Sequence, residues 1–415
     1  MLNFLCKPLI LDKNPTKQIV QNPLNIHPSQ IQVPIKQELN QQISQEYMSL
    51  MQSNEERRNV TASFLKLREC LKHIYGLLKI DLIPYGSFVS GLALTGKGMS
   101  DLDVTLLFQD AADMIKKRHA WSVEDFKSAD IHNLQIVQKG LQEMKNGCQP
   151  EKNISITAFG AILEIKDTQY GVNIELQINK VLDPYNSKLI QTYSMFDHRF
   201  HQLALILKNW NKKHFPLNTT RINSYSITLM LIAYLQKKNV LPYLQSMRSE
   251  KKEVSYVKYV LKGGEYQFGY TMKANVAFED NLSIVDREFK DRDRKSSVDQ
   301  LLIGFFEFHL ERFDSEEHAI RINKKQNYVE RKRKPGAQKS QYEEIITKKL
   351  QKYRDLKQKM LKESANWTLV LIDPFDIGYN PCKGVQEPVW SKYLQKFRQS
   401  LKALKEESNL QGIFR

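Results

Sequence analysis

Two acidic residues next to a predicted strand constrain this chain more than any other feature of its sequence. Asp101 and Asp103 are separated by one leucine, and the apolar stretch 104–108 follows them. Alternate residues of a strand point to the same face, so the two carboxylates should lie side by side. Tyr85-Gly86-Ser87 precedes them, with thirteen residues between Ser87 and Asp101. A glycine at such a turn lets backbone N–H groups come close to a phosphate. The pattern predicts a strand that binds divalent cations, beside a turn that binds phosphate.

The rest of the chain divides by the spacing of its apolar residues. Segments rich in β-branched residues and interrupted by glycine fill 80–108 and 159–179, with a helical stretch, 122–147, between them. Residues 168–171 are typical of a hairpin turn. Beyond residue 186 almost every pattern is helical, except a polar stretch, 243–297, that we expect to loop out. These patterns predict an α+β fold with two lobes.

The same changes of pattern suggest domain boundaries. Residues 1–35 carry five prolines and many Gln and Asn, which is typical of a disordered or strap-like arm. Residues 36–70 are predicted to form lead helices that pack on the helical lobe, and residues 71–185 a catalytic lobe that contains the sheet. Residues 186–385 are predicted to form the helical lobe, and residues 386–415 a C-terminal helix or tail.

The charge of the chain favours a polyanionic partner. Lys and Arg exceed Asp and Glu by 62 to 46, which gives a net charge of +16. Residues 323–364 hold 14 of the cations against 5 acids, and 342–363 within them is predicted to be helical. The helix of this basic insert is interpreted as docked on the body of the protein, as a contact for a protein partner, as a lid over RNA, or as a solvated helix with a run resembling a nuclear-localisation signal.

Composition argues against several classes of protein. No apolar run approaches the roughly 20 residues that span a bilayer, so a membrane partner is not expected. The cysteines, Cys6, Cys70, Cys148 and Cys382, have no paired spacing, which argues against a disulfide framework or a zinc site. We therefore expect an intracellular protein, cytoplasmic or nuclear.

Six segments resemble one enzyme family. YGSFVSGLALTGKGMSDLDV resembles the signature of the nucleotidyltransferase superfamily that includes DNA polymerase β. More narrowly, the chain is similar to terminal uridylyltransferases and cytoplasmic-type poly(A) polymerases through GVNIELQIN, NSKLIQTYSMFDHRFHQLALILKNWNKK, INSYSITLMLIAYLQ, LLIGFFEFH and LIDPFDIGYN. The likeness covers residues 55 to 385 or so. It implies a nucleotidyltransferase catalytic lobe with a mixed β-sheet and a mostly helical central, PAP-associated domain.

The resemblance implies a metal site with three carboxylates. Asp101 and Asp103 would hold two Mg²⁺ ions, for which Mn²⁺ is a substitute, together with Glu175 on a neighbouring strand. The family usually has aspartate at that third position, and glutamate reaches about 1.5 Å farther, one C–C bond. Glu164, on the preceding strand, is the rival third ligand.

The resemblance also implies a nucleotide site assembled from several segments. Gly86 and Ser87 would bind phosphate, Lys208 and Lys212 the β- and γ-phosphates, and Ser224 the triphosphate. The sugar and base would contact Tyr225, Asn186, Ser187, Asp376, Tyr379 and Asn380, with Asp373 in the same loop. Tyr225 has core packing as its alternative, and Lys180 replaces an asparagine that often contacts the ribose. Asp197 and Arg199 are interpreted as a structural ion pair.

The reaction implied is attack of an RNA 3′-OH on the α-phosphate of a nucleoside triphosphate, which releases pyrophosphate. No template-binding or dedicated RNA-binding module is apparent, so the enzyme would be template-independent. Tyr379 replaces a histidine that often reads uracil, and a phenol can serve either base, so UTP is favoured only slightly over ATP. Uridylyl transfer, poly(A) synthesis and a catalytically weak scaffold that binds RNA or a partner remain as three hypotheses.

Overall fold

A mixed β-sheet carries the predicted acidic residues. The structure, a computed structural model, describes residues 35–76, 78, 80–96, 101–108, 123–144, 147–157, 160–216, 220–262 and 265–415, so the predicted N-terminal arm lies outside it except for its last residue. The strands of the sheet are β1 (Ile80–Tyr85), β2 (Leu102–Phe108), β3 (Cys148–Pro150), β4 (Ser155–Thr157), β5 (Gly160–Asp167) and β6 (Val172–Ile178).

The order of these strands places β2 and β6 side by side in the interior of the sheet. It runs β1-β2-β6-β5-β3, and β4 pairs with β5. Strands β2 and β6 are parallel, and the other pairs are antiparallel. The mixed α+β fold is therefore confirmed, as is the hairpin between β5 and β6, where Gly171 adopts a φ of 67°.

Helices make up most of the remaining described chain. They are α1 (Ile35–Leu50), α2 (Asn54–Tyr75), α3 (Gly86–Ser90), α4 (Val123–Met144), α5 (Asp183–Phe196), α6 (His198–His214), α7 (Ser224–Lys237), α8 (Leu282–Glu288), α9 (Val298–Glu311), α10 (Gln341–Lys349), α11 (Arg354–Ser364) and α12 (Glu387–Lys405). A 3₁₀ turn, Gln411–Phe414, follows α12. No helix within these ranges is long and apolar enough to cross a membrane.

Two hydrophobic cores lie on either side of the predicted site. One joins the sheet to α2 and α4, and the larger one joins α1 to the helices that follow the sheet. The second lead helix, α2, thus packs on the sheet, whereas the sequence analysis placed it on the helical lobe. Its apolar face, Val60, Phe64, Leu67 and Leu71, has the spacing of either environment, so the pattern could not tell the two apart.

The polar stretch after α7 contains a hairpin. Strands β7 (Glu253–Lys262) and β8 (Glu265–Asn275) pair antiparallel, so the expectation of an extended loop across 243–297 was wrong. Further along the chain, β9 (His318–Ile320) and β10 (Tyr328–Glu330) form a second small pair at the start of the basic insert. The helix predicted over 342–363 is two helices, α10 and α11, with a break at 350–353.

The most basic run of the insert is neutralised by its surroundings. Arg331 donates hydrogen bonds to backbone carbonyls of Ser315, Ser364, Trp367 and Thr368. The next three cations form ion pairs with glutamates: Lys332 with Glu317, Arg333 with Glu343, and Lys334 with Glu330. These contacts give the run a structural role within the described chain and weaken its interpretation as a surface for RNA.

Candidate active site

Every residue that the sequence analysis assigned to the site borders one cavity between the two cores. The cavity has a volume of about 1150 Å³. Its walls include the predicted residues Gly86, Ser87, Asp101, Asp103, Glu175, Asn186, Ser187, Lys208, Lys212, Ser224, Tyr225, Asp376, Tyr379 and Asn380. A cavity of this size exceeds the range of roughly 300–1,000 Å³ typical of small-ligand pockets, so it has room for a nucleotide and part of a second ligand.

The sheet register places acidic side chains in one row. Asp103 on β2 lies directly opposite Glu175 on parallel β6, and Glu175 lies opposite Glu164 on β5. Residues directly opposite each other in a sheet share a face, so the three side chains project to one side. Asp101, two residues before Asp103, joins them at the start of the strand. Glu164 is exposed and does not border the cavity, which favours Glu175 as the third carboxylate.

Burial and neighbouring negative charge raise the pKa of two carboxyl groups in this row, Asp103 and Glu175. Burial raises the pKa of Asp103 to about 7, with a further contribution from the negative charge of Glu175. Burial and the charges of Asp101 and Glu164 also raise the pKa of Glu175. Nearby positive charge would relieve this repulsion, and carboxylate oxygens are the ligands that Mg²⁺ prefers.

The donor set therefore suits divalent cations, although the side chains are not gathered into a closed metal cage. Across the described ranges, no three His, Cys, Asp or Glu side chains converge closely enough to form a metal-binding group as they stand. The carboxylates would have to draw together around the ions. The extra methylene of Glu175 supplies some of that reach.

The predicted phosphate turn lies against Asp103. Strand β1 ends at Tyr85, which is opposite Asp103, and the chain then turns through Gly86 into the short helix α3. Gly86 has a φ of 73°, and a Cβ at this position would overlap the Asp103 carboxylate. Its N–H donates to Ser187 Oγ at 2.7 Å, which ties the turn to α5. Glycine is required here for both its backbone angle and its lack of a side chain.

Helix α6 presents a buried lysine to the carboxylates. Lys208 Nζ donates to the Leu92 carbonyl at 2.8 Å, and its side chain is 8% exposed. Burial and the neighbouring Lys212 ammonium lower the pKa of Lys208 to about 7, against a raising effect from Asp103. Burial and Arg221, which also borders the cavity, lower the pKa of Lys212. Cations held in this way are suited to bind an anion.

The wall made by α5 and α7 combines a tyrosine with a buried amide. Tyr225 donates its hydroxyl hydrogen to Asp373 at 2.8 Å. Asn186 Nδ2 lies 3.5 Å from the same carboxylate, while its buried Oδ1 has no hydrogen-bond partner among the described residues. That oxygen is an unused acceptor on a residue that borders the cavity. Ser187, in contrast, already accepts from Gly86 and donates to the Asp183 carbonyl.

Residues 373–380 form a loop that is held by hydrogen bonds between the side chains at its two ends and backbone groups in and beside it. Asp373 accepts hydrogen bonds from the N–H groups of Phe375 and Asp376. Asn380 accepts from the N–H groups of Leu371 and Cys382 and donates to the Leu369 carbonyl. Asn380 is only 2% exposed, so these bonds hold the loop at the cavity wall, and its contact with a nucleotide stays a prediction.

Other expectations had mixed outcomes. The ion pair of Asp197 and Arg199 is confirmed at 2.8 Å, and Arg199 also donates to the carbonyls of Asp293 and Ser296. Lys180 borders the cavity, where burial lowers its pKa and Asp183 opposes that effect.

The contribution of the β7–β8 hairpin to the cavity was not predicted from the sequence. Tyr256 and Lys258 border the cavity and both contact Asp376. The β-branched and aromatic residues of EVSYVKYVLK were the available signal, but the polar residues around them concealed the strand.

Comparisons with known sequences agree on one group of proteins. A family model described as "Poly(A) RNA polymerase, mitochondrial-like, central palm domain" matches residues 39–195. The chain is 23% identical over 302 residues to the poly(A) RNA polymerase GLD2 of Rattus norvegicus, an alignment covering 72% of this chain and 56% of the relative. It is 23% identical over 346 residues to the terminal uridylyltransferase cid1 of Schizosaccharomyces pombe, covering 80% and 71%. The chain thus spans little more than half the length of the mammalian relative.

Solved structures share the fold. A cytoplasmic RNA terminal U-transferase superimposes with a TM-score of 0.64 at 21% identity, over 91% of this chain and 98% of that one. The Cid1 poly(U) polymerase with MgGTP bound superimposes with a TM-score of 0.63 at 20% identity, over the same shares. Both likenesses extend across the sheet and the helical part.

Proposed function

We propose that the chain is a member of the family of terminal uridylyltransferases and cytoplasmic-type poly(A) polymerases, and that it adds uridines to RNA 3′ ends without a template. One observation carries the proposal. Asp103 and Glu175 stand in register on adjacent strands, with Asp101 beside them and the Gly86 turn packed against Asp103. Carboxylates are rarely placed together in a partly buried cavity unless a cation or a reaction uses them.

We assign the divalent ions to Asp101, Asp103 and Glu175. Mg²⁺ bound there would stabilise charge on the attacking and leaving oxygens of a phosphoryl displacement. The protein's own task is to hold the RNA 3′-OH and the triphosphate in line, and the cavity is wide enough for both. Cid1 structures with MgGTP or the product ApU bound support this pairing of ligands for that relative.

The opposite wall is assigned to the triphosphate. One of the three N–H donors of Lys208 goes to the Leu92 carbonyl, and the ammonium faces the cavity beside Lys212. Phosphate oxygens would complete the hydrogen bonding of Lys208 and restore its positive charge, since an anion raises a depressed lysine pKa. Ser87 and Ser224 border the same region and add hydroxyl donors.

The sugar and base are assigned to the wall formed by α5, α7 and the 373–380 loop. The unpaired Oδ1 of Asn186 would accept a hydrogen bond from a ribose hydroxyl. Tyr225, fixed through Asp373, offers its ring to the base, a contact worth about 1–3 kcal/mol for stacked bases. Asp376 and Tyr379 lie at the far end, where they would read the base edge.

ATP is the second candidate substrate, because GLD2 relatives of this chain are poly(A) RNA polymerases. An extension assay distinguishes the candidates. Purified protein is incubated with a 5′-labelled RNA, Mg²⁺ and each of the four nucleoside triphosphates in turn. Preferred extension with UTP is the expected result, and preferred extension with ATP would reverse the assignment. Binding of RNA without extension by any nucleotide, under Mg²⁺ or Mn²⁺, would support the scaffold hypothesis instead.

Paired variants test the carboxylate assignment in the same assay. Asp103→Asn and Glu175→Gln should each reduce extension at least about a thousandfold, since several kcal/mol of charge stabilisation depends on the ions. Glu164→Gln is the matched control, because this glutamate shares the sheet face but lies outside the cavity. Its activity should stay within about threefold of the parent, in keeping with the small effect of most exposed substitutions. If Glu164→Gln loses activity and Glu175→Gln retains it, Glu164 would be the third metal ligand in place of Glu175.

A further inference from the structure

The β7–β8 hairpin brings a charged pair to the base end of the cavity. Tyr256 and Lys258 are two residues apart on β7, so they share a face of the strand. Lys258 Nζ lies 2.8 Å from both carboxylate oxygens of Asp376. The Tyr256 hydroxyl donates to Asp376 Oδ1, also at 2.8 Å. All three residues border the cavity.

The surrounding chain is shaped to accommodate this ammonium. The side chains of Lys258 and Asp376 are 11% and 14% exposed, so water competes little for their contact. A Cβ on Gly378 would come within 3.1 Å of Lys258 Nζ, and the glycine therefore leaves the space that the ammonium fills. Two side chains from the basic insert anchor the hairpin: Lys349 donates to the Lys273 carbonyl at 2.8 Å, and Tyr353 to the Thr271 carbonyl at 2.7 Å.

The hydrogen bonds already made define what this pair can offer a ligand. Oδ1 of Asp376 accepts from both Lys258 and Tyr256, whereas Oδ2 accepts from Lys258 alone. One acceptor position on Asp376 and one N–H donor on Lys258 therefore have no partner among the described residues, and both residues border the cavity. A donor beside an acceptor matches the edge of uracil, where the N3–H group lies between two carbonyl oxygens.

We propose that Lys258 determines base specificity by donating a hydrogen bond to a carbonyl oxygen of the incoming uracil, while Asp376 accepts from N3–H. The inference rests on the proposed function, because it assigns this wall to the base. Without the ammonium, the Asp376 carboxylate would face a carbonyl oxygen of uracil and repel it. Adenine presents an amino group instead of a carbonyl at the corresponding position, so loss of Lys258 disfavours uracil more than adenine.

The test compares kcat/KM for UTP and ATP, with RNA and Mg²⁺, in the full chain and in Lys258→Met. The ratio of the UTP value to the ATP value should fall at least about tenfold, the effect of one hydrogen bond to a charged group. Lys273→Met is the matched control on the same hairpin, because its ammonium pairs with Glu253 in solvent. That variant should keep the parental ratio, and Lys258→Arg should recover part of it. An unchanged ratio in Lys258→Met would overturn the proposal.

Lys258→Met leaves the Asp376 carboxylate without its cation, and that variant could fail to fold for this reason. The same substitution is therefore also made in a second variant. In Asp376→Asn no carboxylate is left unpaired, and adding Lys258→Met to this variant should again lower the UTP-to-ATP ratio. Equilibrium binding of UTP and ATP to the same proteins separates the inference from the proposed function. If the parent binds UTP more tightly than ATP through Lys258 but extends no RNA, the proposed function alone is wrong. If the parent extends RNA normally and the relative affinity for UTP and ATP does not change when Lys258 is replaced, the inference alone is wrong.

Discussion

A side chain at position 86 would occupy the space that the Asp103 carboxylate fills. Gly86→Ala should therefore displace that carboxylate and lower extension activity at least about tenfold, since misplacement of a reacting group by 1 Å can cost a hundredfold. The φ of 73° at this residue adds a conformational cost of about 1 kcal/mol to the folded state. The activity is measured by RNA extension, and the stability by thermal unfolding.

Gly171→Ala separates the two effects. Gly171 has a similar φ, 67°, but nothing lies within 4 Å of a Cβ built there. This variant should lose a comparable amount of stability and keep its activity. Equal loss of activity in the two variants would show that backbone strain, not contact with Asp103, limits Gly86.

Two asparagines on the cavity wall should respond in opposite ways to substitution. Asn380→Ala removes three hydrogen bonds to buried backbone, which should lower the free energy of unfolding by about 2 kcal/mol with little change in nucleotide KM. Asn186→Ala should raise nucleotide KM several-fold with a smaller loss of stability, because its Oδ1 has no partner among the described residues. Denaturant unfolding and steady-state kinetics measure the two quantities. A large increase in nucleotide KM for Asn380→Ala would instead support the predicted contact of Asn380 with the nucleotide.

The sequence located the acidic and basic side chains better than it described their bonds. Asp101, Asp103 and Lys208 stand on elements whose periodicity is strong, so their positions at one cavity could be anticipated. The bonds of Asn380 and Asp376 depend on how a loop folds back on itself and on a distant hairpin. Such contacts are long-range in sequence and leave no local pattern, which explains why they were missed.

At the level of elements, strand β7 shows why composition is a poor guide here. Glu253–Lys262 is rich in valine and tyrosine, but charged residues interrupt it and a cluster of polar residues follows β8. Strand propensity depends on what the side chains pack against. Here Lys258 of β7 pairs with Asp376, and carbonyls of β8 accept hydrogen bonds from α10 and the loop that follows it. The hairpin was therefore not predictable from local pattern alone.

The Arg331–Lys334 run allows a prediction about the basic insert. Arg331→Lys keeps the charge but loses the planar group that donates to several carbonyls at once. This variant should lower the free energy of unfolding by about 1–3 kcal/mol, the range for hydrogen bonds to charged groups, and leave RNA affinity unchanged. Thermal unfolding and a filter-binding assay would check the two outcomes.

Arg333→Lys is the control for this prediction. Arg333 is exposed and pairs with Glu343, so its replacement should leave the free energy of unfolding close to that of the parent. A fall in RNA affinity for Arg331→Lys with unaltered stability would return the run to the RNA-binding role considered from sequence.

At the scale of the whole molecule, a few hydrogen bonds join the segment that follows β1 to the helices of the larger core. Lys208 and His201 on α6 bond the carbonyls of Leu92 and Gly91, and Ser187 on α5 accepts from Gly86. All three bonds end in the segment that follows β1. The phosphate turn is therefore positioned by the helical core as much as by the sheet. The order of the lobes could be read from the sequence, but this dependence could not.

The larger core contains a histidine that should make the whole fold sensitive to acid. His309 on α9 is fully buried, its Nδ1–H donates to the Phe305 carbonyl at 2.8 Å, and burial lowers its pKa from 6.5 to about 4. Between these two pH values the unfolded chain binds more protons at this site than the folded chain does. The contribution of His309 to stability is therefore fully present above pH 6.5 and is lost as the pH falls toward 4, by about 3 kcal/mol in all.

His309→Gln should flatten the dependence of the unfolding free energy on pH over this window. His73→Gln, at an exposed position on α2, should leave that dependence as steep as in the parent. Because burial also lowers the pKa of His201, the parent loses stability from more than one site, and the difference between the two variants isolates the share of His309. Equal slopes in both variants would mean that the core admits a charged imidazole at little cost.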